Sequence, residues 1–347
     1  MADSNQKSGR YGNNEIGFGL VGTGTIASSH VQAIHANDGA KLVGVFSETS
    51  SRGREFAERY GIHHYSTYTE LLEDNRVDIV DIANKTNLHA EYAVRAVEQN
   101  KHVLVEKPID ADLDKAEKLV NLAEEKHRKL SCVSEFRFSP GIMKLKELLE
   151  TEALGDILLI NVSIPLFRTP EYYTASPWRS KRESAGGGVL AMNAIHVLDI
   201  LLWLFGPVRE VAARKRILRE NIEVEDCAAV LMQFESNTLC VMTVTNATGK
   251  TLPLRIEIHG RIGSVELEDF LVVNRLGLNM EPLLIMARKL KKRLLKGKSS
   301  IDICYYHQIK DILDAVREDK NPLTSGDSGR RALGLLNRIY DACESQF

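Results

Sequence analysis

"IGFGLVGTGTIASSH", residues 16–30, decides the fold. Residues 16–22 form an apolar run that reads as a strand, and residues 26–36 carry helical spacing. Gly22, Gly24 and Ala27 therefore fall between strand and helix as G-x-G-x-x-G/A, which is the context that gives this pattern meaning. Gly22 permits the tight turn, Gly24 lets the backbone approach a pyrophosphate, and Ala27 allows the helix to pack close to the strand. Amides at the helix N-terminus then face the phosphates, with Thr23, Thr25 and Ile26 completing the loop. The pattern implies a dinucleotide cofactor.

Outward from this stretch, short apolar runs alternate with amphipathic helical ones. Strands are predicted at 41–46, 63–66, 77–83, 102–106 and 130–135, and helices at 51–60, 68–74, 88–99 and 112–127. This is the order of a doubly wound α/β unit, a Rossmann dinucleotide-binding domain over residues 15–136. After "FSPG" (138–141) the pattern changes. A helix (142–151), a strand (157–164), a polar and aromatic loop (165–185) and a helix (187–204) lead into strands that run to about 273. "DCAAVLMQFESNTLCVMTVTNA" (226–247) holds two apolar strands split by the turn "ESN", the mark of an antiparallel hairpin. Residues 137–347 thus read as an α+β domain with a mostly antiparallel open sheet, closed by helices at 301–317 and 328–343. Residues 1–14, polar and without an apolar stretch, read as a disordered tail.

The 347 residues are 44% hydrophobic and 27% charged with a net charge of −2, a balance that offers no electrostatic footing for nucleic acid. No run reaches the ~18 apolar residues of a membrane span. The five cysteines are scattered without a C-x-x-C pair, which argues against a disulfide framework and a zinc site and fits a reducing cytoplasm. No metal is expected. The segment 283–298 is basic and amphipathic, with Lys and Arg concentrated over 288–298. It reads either as a solvated helix or as a surface for membrane or polyanion, and its role stays open. The partner these observations leave is a small molecule.

"VLVEKPID" (103–110) ends an apolar strand on Glu106, Lys107 and Pro108. Ligands of open α/β sheets bind outside the carboxyl ends of the strands, so Lys107 is placed where the nicotinamide is expected. There it can exchange a proton with a substrate hydroxyl or stabilise alkoxide charge as hydride leaves. Glu106 would offset its charge or meet the cofactor, and Pro108 would fix the backbone, a cis bond being one way. At the tip of the second strand Ser47 stands where an acid usually binds the adenosine ribose, followed by Glu48 and Arg52. Loss of the acid and the nearby arginine favour NADP, whereas Glu48 supports NAD.

The glycine loop, E-K-P, "GGGVLAMNAIHVLDILLWLFGPV" (186–208) and "HQIKDILDAVREDKNPLTSGDSGRRALGLLNRIYDA" (307–342) together resemble the glucose-fructose oxidoreductase and inositol dehydrogenase family, Gfo/Idh/MocA, from Ile16 to Cys343. The resemblance implies an NAD(P)-dependent oxidoreductase acting on a hydroxyl or ketone carbon of a sugar, polyol or nucleotide sugar. It implies Lys107 and His196 as the acid-base pair and a homodimer or homotetramer built through the C-terminal sheet. Asp199, one helical turn from His196, would orient the imidazole or serve only as a local pair. Met192 stands where inositol-type members carry an Asp, beside the uncharged Asn193. In "ANKTNLH" (83–89), where the family commonly has "ATPNxLH", Lys85 and Thr86 replace the usual Pro and Asn while His89 remains; Ala83, Asn84, Asn87 and His89 are expected as cofactor contacts. The loop 168–188 supplies Arg168, Tyr173, Trp178 and Arg179 for the sugar. It looks like that of members oxidising position three of a UDP-N-acetylhexosaminuronate. A non-catalytic NAD(P)-binding sensor is the rival reading, and the retention of both Lys107 and His196 speaks against it.

Overall fold

A computed structural model describes residues 15–276 and 302–345; the tail 1–14 and the basic segment 288–298 lie outside the described residues. In chain order the elements are β1 (Ile16–Val21), α1 (Ala27–Ala36), β2 (Ala40–Phe46), α2 (Ser50–Tyr60), β3 (His63–Tyr65), α3 (Tyr68–Glu73), β4 (Ile79–Ile82), α4 (His89–Glu98), β5 (His102–Val105), α5 (Leu113–Glu125) and β6 (Leu130–Cys132). They continue with α6 (Pro140–Glu150), β7 (Ile157–Pro165), α7 (Glu171–Thr174), α8 (Arg182–Ala185), α9 (Ile195–Phe205), β8 (Val208–Arg216), β9 (Cys227–Phe234) and β10 (Leu239–Thr245). The last are β11 (Arg255–Gly260), β12 (Ser264–Glu268), β13 (Leu271–Leu276), α10 (Ile303–Arg317) and α11 (Gly326–Glu344). Two compact units result. One runs to Glu135 and regains the chain as far as Arg330; the other starts at Phe136 and takes the residues from Arg331 onward.

The first unit is a parallel sheet in the order β3-β2-β1-β4-β5-β6. That order reverses between β1 and β4, and the crevice outside their carboxyl ends is where doubly wound sheets take ligands. β1, β4 and β5 are buried at every position, because helices cover both faces of the sheet. Local chemistry sets the helix ends: Thr67 caps α3 by accepting the Glu70 amide, and Asp112 caps α5 by accepting those of Asp114 and Lys115. Helix α10, expected with the second domain, instead completes this first core: Tyr305, Ile309, Ile312 and Leu313 join Phe18 and Ile34. Its apolar face has its match here, which position along the chain does not reveal.

The second unit holds a seven-stranded sheet, β13-β12-β11-β7-β10-β9-β8, with β7 and β10 its one parallel pairing among the described residues. The "ESN" turn does join an antiparallel hairpin, with Leu239 opposite Gln233 and Thr245 opposite Cys227. The loop expected at 165–185 contains α7, α8 and a 3₁₀ turn at Pro177–Ser180. Ahead of α9, residues Leu190–Ala194 form a π turn rather than the regular helix expected from 187. The run Arg182–Phe205 is long and apolar enough by composition to cross a membrane, yet 61% of its most apolar window is buried inside the protein, as in a core helix.

Candidate active site

The glycine loop leaves β1 at Gly22. Its φ of +107° and the 2.5 Å that would separate an added Cβ from the Ala83 carbonyl oxygen leave glycine as the residue that fits. Gly24 is different. A Cβ there would meet only that same oxygen, at 3.9 Å, so packing within the chain does not require glycine, and the open space suits a pyrophosphate. Behind it, α1 begins after Ile26 without a side-chain cap and without an acid in its first turn, so no side chain competes with an anion at this helix start, where the Ala27 and Ser29 amides donate to the Gly24 and Ile26 carbonyl oxygens. Thr23 and Thr25 lie on this loop, and the Thr23 hydroxyl is 3.4 Å from that of Ser47 at the end of β2. Glu48 accepts a hydrogen bond from Tyr92 Oη at 3.3 Å and lies 3.9 Å from Lys85 Nζ, while Arg52 is exposed on α2.

After β4 comes Ala83, which is buried, and then Asn84. Both polar atoms of the Asn84 side chain are buried without a hydrogen bond among the described residues, as is Asn87 Oδ1. Such atoms cost about 1–3 kcal/mol each unless a partner arrives, so the residues present fit a bound dinucleotide. His89 shares this feature at Nε2 and has a structural place as well. Its Nδ1 lies 2.8 Å from the Pro108 carbonyl oxygen, which can only accept, so Nδ1 carries the proton and the ring braces the E-K-P turn. Burial lowers its pKa despite that carbonyl.

Lys107 follows β5 at the ligand end of the sheet, half-buried, and its bond to Pro108 is cis. The expectation that Glu106 meets the cofactor needs correction, because both its oxygens are engaged inside the unit. Oε1 takes His30 Nε2 at 3.0 Å and the Tyr305 hydroxyl at 3.1 Å, and Oε2 takes the Lys107 amide at 3.0 Å. The other ring nitrogen of His30, Nδ1, lies 2.9 Å from each Asp81 oxygen. Burial opposes charge on this ring, but Asp81 and then Glu106 outweigh it and raise the His30 pKa to about 10. Glu135 is pushed up to about 8 by burial and by Glu106, against the pull of Lys107. Sequence reasoning missed His30, Asp81 and Tyr305. The available signal was the acid Asp81 inside the apolar run of "VDIVDIA" and a histidine on the same helical face as Ala27 and Ile34.

In the second unit His196 is the second residue of α9, directly after the π turn, a feature frequent at functional sites. The Phe136 ring meets it edge-on at 5.0 Å. Asp199 does not serve as its orienting partner. Its two oxygens are gripped by Arg137 Nε and Nη2 at 2.6 and 2.5 Å, in a pair that is almost wholly buried. The π turn is held by Glu225, whose carboxylate accepts the Gly188 and Leu190 amides and the Tyr340 hydroxyl at 2.9–3.0 Å. This explains the glycines of "GGG" by packing: a Cβ on Gly187 would lie 1.8 Å from Tyr340 Oη, and one on Gly188 1.8 Å from the Glu225 carbonyl oxygen. Asn193, inside the turn, keeps Oδ1 buried without a partner among the described residues.

Of the aromatic residues expected to face a sugar, Tyr173 turns inward. It is buried, and its hydroxyl accepts a hydrogen bond from Asn246 Nδ2 at 2.9 Å. Tyr172 takes its place beside the arginines: the guanidinium carbons of Arg168 and Arg179 lie 5.3 and 4.5 Å from its ring centre, and that of Arg179 lies 5.6 Å from Trp178. Arg219 donates to the Arg168 carbonyl oxygen at 2.7 Å, which fixes the backbone there. Among the described residues neither Arg168 nor Arg179 has a carboxylate partner, and both Nε atoms are buried without a hydrogen bond. Two adjacent cations in this state are an arrangement that an anion completes.

Residues 16–134 match the family model described as "Oxidoreductase family, NAD-binding Rossmann fold", and residues 142–266 match the "GFO/IDH/MocA C-terminal domain". The myo-inositol 2-dehydrogenase of Thermotoga maritima is 27% identical over 327 residues, 92% of this chain and 93% of its own length. The WlbA dehydrogenase from Bordetella pertussis, solved in complex with NADH and UDP-GlcNAcA, superposes with a TM-score of 0.88 at 26% identity, over 95% of this chain and 96% of that one. The WlbA enzyme from Chromobacterium violaceum, with the same two ligands, gives 0.85 at 28% identity, over 96% and 94%.

Proposed function

Because this chain belongs to the GFO/IDH/MocA oxidoreductase family, we propose that it oxidises a hydroxyl group of an anionic nucleotide sugar, of the UDP-N-acetylhexosaminuronate class. The observation that carries the substrate class is the pair of guanidiniums beside Tyr172, without carboxylate partners among the described residues. The likeness to the two WlbA enzymes supports it. A bound nicotinamide supplies the hydride acceptor. Lys107 takes the hydroxyl proton at Nζ as the C–H bond breaks, His196 assists, and Arg168 and Arg179 hold the carboxylate or diphosphate. Asn193 contributes a polar contact to the sugar. For the dinucleotide, Ser47 and Arg52 suit NADP, but Glu48, tethered by Tyr92, would meet a 2′-phosphate with like charge, so we favour NAD.

Purified protein incubated with NAD or NADP and a sugar panel tests the reading through absorbance at the reduced-nicotinamide band. Turnover is expected on UDP-N-acetylglucosaminuronate, and Arg168→Ala and Arg179→Ala should each raise its KM about 10- to 100-fold, the worth of a charge-assisted hydrogen bond of about 1.5–3 kcal/mol. Neither change should affect a neutral hexose. Equal activity on UDP-N-acetylglucosamine, which lacks the carboxylate but keeps the diphosphate, would place the arginines on the diphosphate; an unchanged KM in both arginine variants would refute their assignment. Tight dinucleotide binding without turnover on any nucleotide sugar, hexose or polyol would favour the sensor.

Self-association is proposed through the outer face of the second sheet, where Leu231, Leu239 and Val241 are 41–47% exposed. Light scattering should show a dimer or tetramer that Leu231→Glu dissociates. A monomer at micromolar concentration in the unsubstituted protein would rule this out.

A further inference from the structure

We propose that His30 and Glu106 form a positioning pair for Lys107: an imidazolium wedged between two carboxylates holds the Glu106 side chain ionised and fixed, and Glu106 holds the strand end that carries Lys107. The inference rests on the role given to Lys107 above. The geometry of His30 comes first. Both ring nitrogens face carboxyl oxygens at 2.9–3.0 Å; with both carboxyls ionised both nitrogens donate, which only the doubly protonated ring can do. Glu106, itself buried, is thereby kept as an anion, with Tyr305 Oη on the same oxygen as His30 and the Lys107 amide on the other. The Tyr305 ring packs on His30 at 5.1 Å between centroids.

A stabilising role does not account for this cluster. Buried ion triads are often no better for stability than apolar residues of the same size, and here three ionisable side chains occupy the inside of a sheet-helix layer. Their placement follows the reaction instead. His30 lies on α1, the helix whose first turn carries the glycine loop, and Glu106 is the residue before Lys107. One chain of hydrogen bonds therefore ties the dinucleotide helix to the lysine within a single unit. The other charged and titratable groups around the pair are Asp81 from β4, Lys107 after β5, His89 from α4, Glu135 after β6, and Asp302 and Tyr305 at the start of α10.

The test compares kcat, KM and dinucleotide affinity of the full chain with those of Glu106→Gln, His30→Gln, Tyr305→Phe and Lys107→Ala, using NAD and UDP-N-acetylglucosaminuronate. Glu106→Gln and His30→Gln should each lower kcat about 100-fold, the order expected of a misplaced reacting group, with NAD affinity within about threefold. The double variant should be no slower than the worse single one, because the two act as one unit. Tyr305→Phe keeps the charges and should lose less than about fivefold. Loss of thermal stability with normal kcat in the folded fraction would show the cluster to be merely structural. Should the variants not fold, nitrogen NMR of the unsubstituted protein decides: a doubly protonated His30 at pH 8.5 supports the pair, and a singly protonated one overturns it. Lys107→Ala with undiminished turnover would overturn the reading beneath; Lys107→Ala inactive with Glu106→Gln fully active would overturn the pair alone.

Discussion

Lys107→Ala should lower kcat by about 10³-fold, within the 10²–10⁴ that a positioned acid-base group contributes, and leave dinucleotide affinity within about threefold. The reasons are separable. Loss of the hydroxyl proton puts negative charge on the substrate oxygen until hydride leaves for the nicotinamide, and the lysine Nζ is proposed both to take that proton and, as an ammonium, to stabilise the alkoxide. The groups that fit the dinucleotide, the Gly22–Ile26 loop and Ser47 at the tip of β2, are untouched by the change. Lys107→Arg sharpens the test, because a guanidinium keeps the charge and cannot give up its proton, so it should remain as slow as the alanine variant. Single-turnover rates of nicotinamide reduction, with dinucleotide binding followed by fluorescence, measure the two effects independently. If the alanine variant kept more than a tenth of the parent rate, Lys107 would not be the acid-base group.

The second large effect concerns stability. Arg137→Leu should destabilise the second unit by about 3–5 kcal/mol, because it leaves the Asp199 carboxylate buried without its guanidinium, and Asp199→Leu should destabilise it as well by removing the two hydrogen bonds of the pair. The pair is 4% and 5% exposed, so solvent cannot take over the lost interaction. The double leucine variant should recover most of the loss, since it removes both charges from the interior. Urea unfolding measures this as a shift in midpoint at constant slope. Single variants within about 1 kcal/mol of the parent would show that the pair is solvated in solution. Activity should follow stability here, because Arg137 adjoins Phe136, whose ring lies against His196.

Much of the fold was legible in the sequence. The six strands of the first sheet appear at the predicted places to within one to three residues at each end, because period, turn residues and caps are encoded over a few neighbours. Gly22 was equally legible, since its constraint arises within the turn. Glu106 was misread for a physical reason: an acid at a strand end looks the same whether it faces a ligand or a buried histidine from another element. Tyr172 and Tyr173 show the same limit. Adjacent in sequence, they differ in that one lies beside two arginines and the other is held by Asn246, and short helical turns in the loop decide which.

By itself the sequence determined the alternating strand-helix order, the glycine loop, the strand ending in Lys107 and the change to antiparallel pairing after residue 138, all of them properties of local pattern. Only the tertiary structure decided which charges meet. His30 finds Asp81 51 residues away, Arg137 finds Asp199 at 62, Tyr340 finds Glu225 at 115 and Tyr305 finds Glu106 at 199. A buried charge must find a partner wherever packing brings one, and packing is set by sheet order and helix faces rather than by neighbours along the chain.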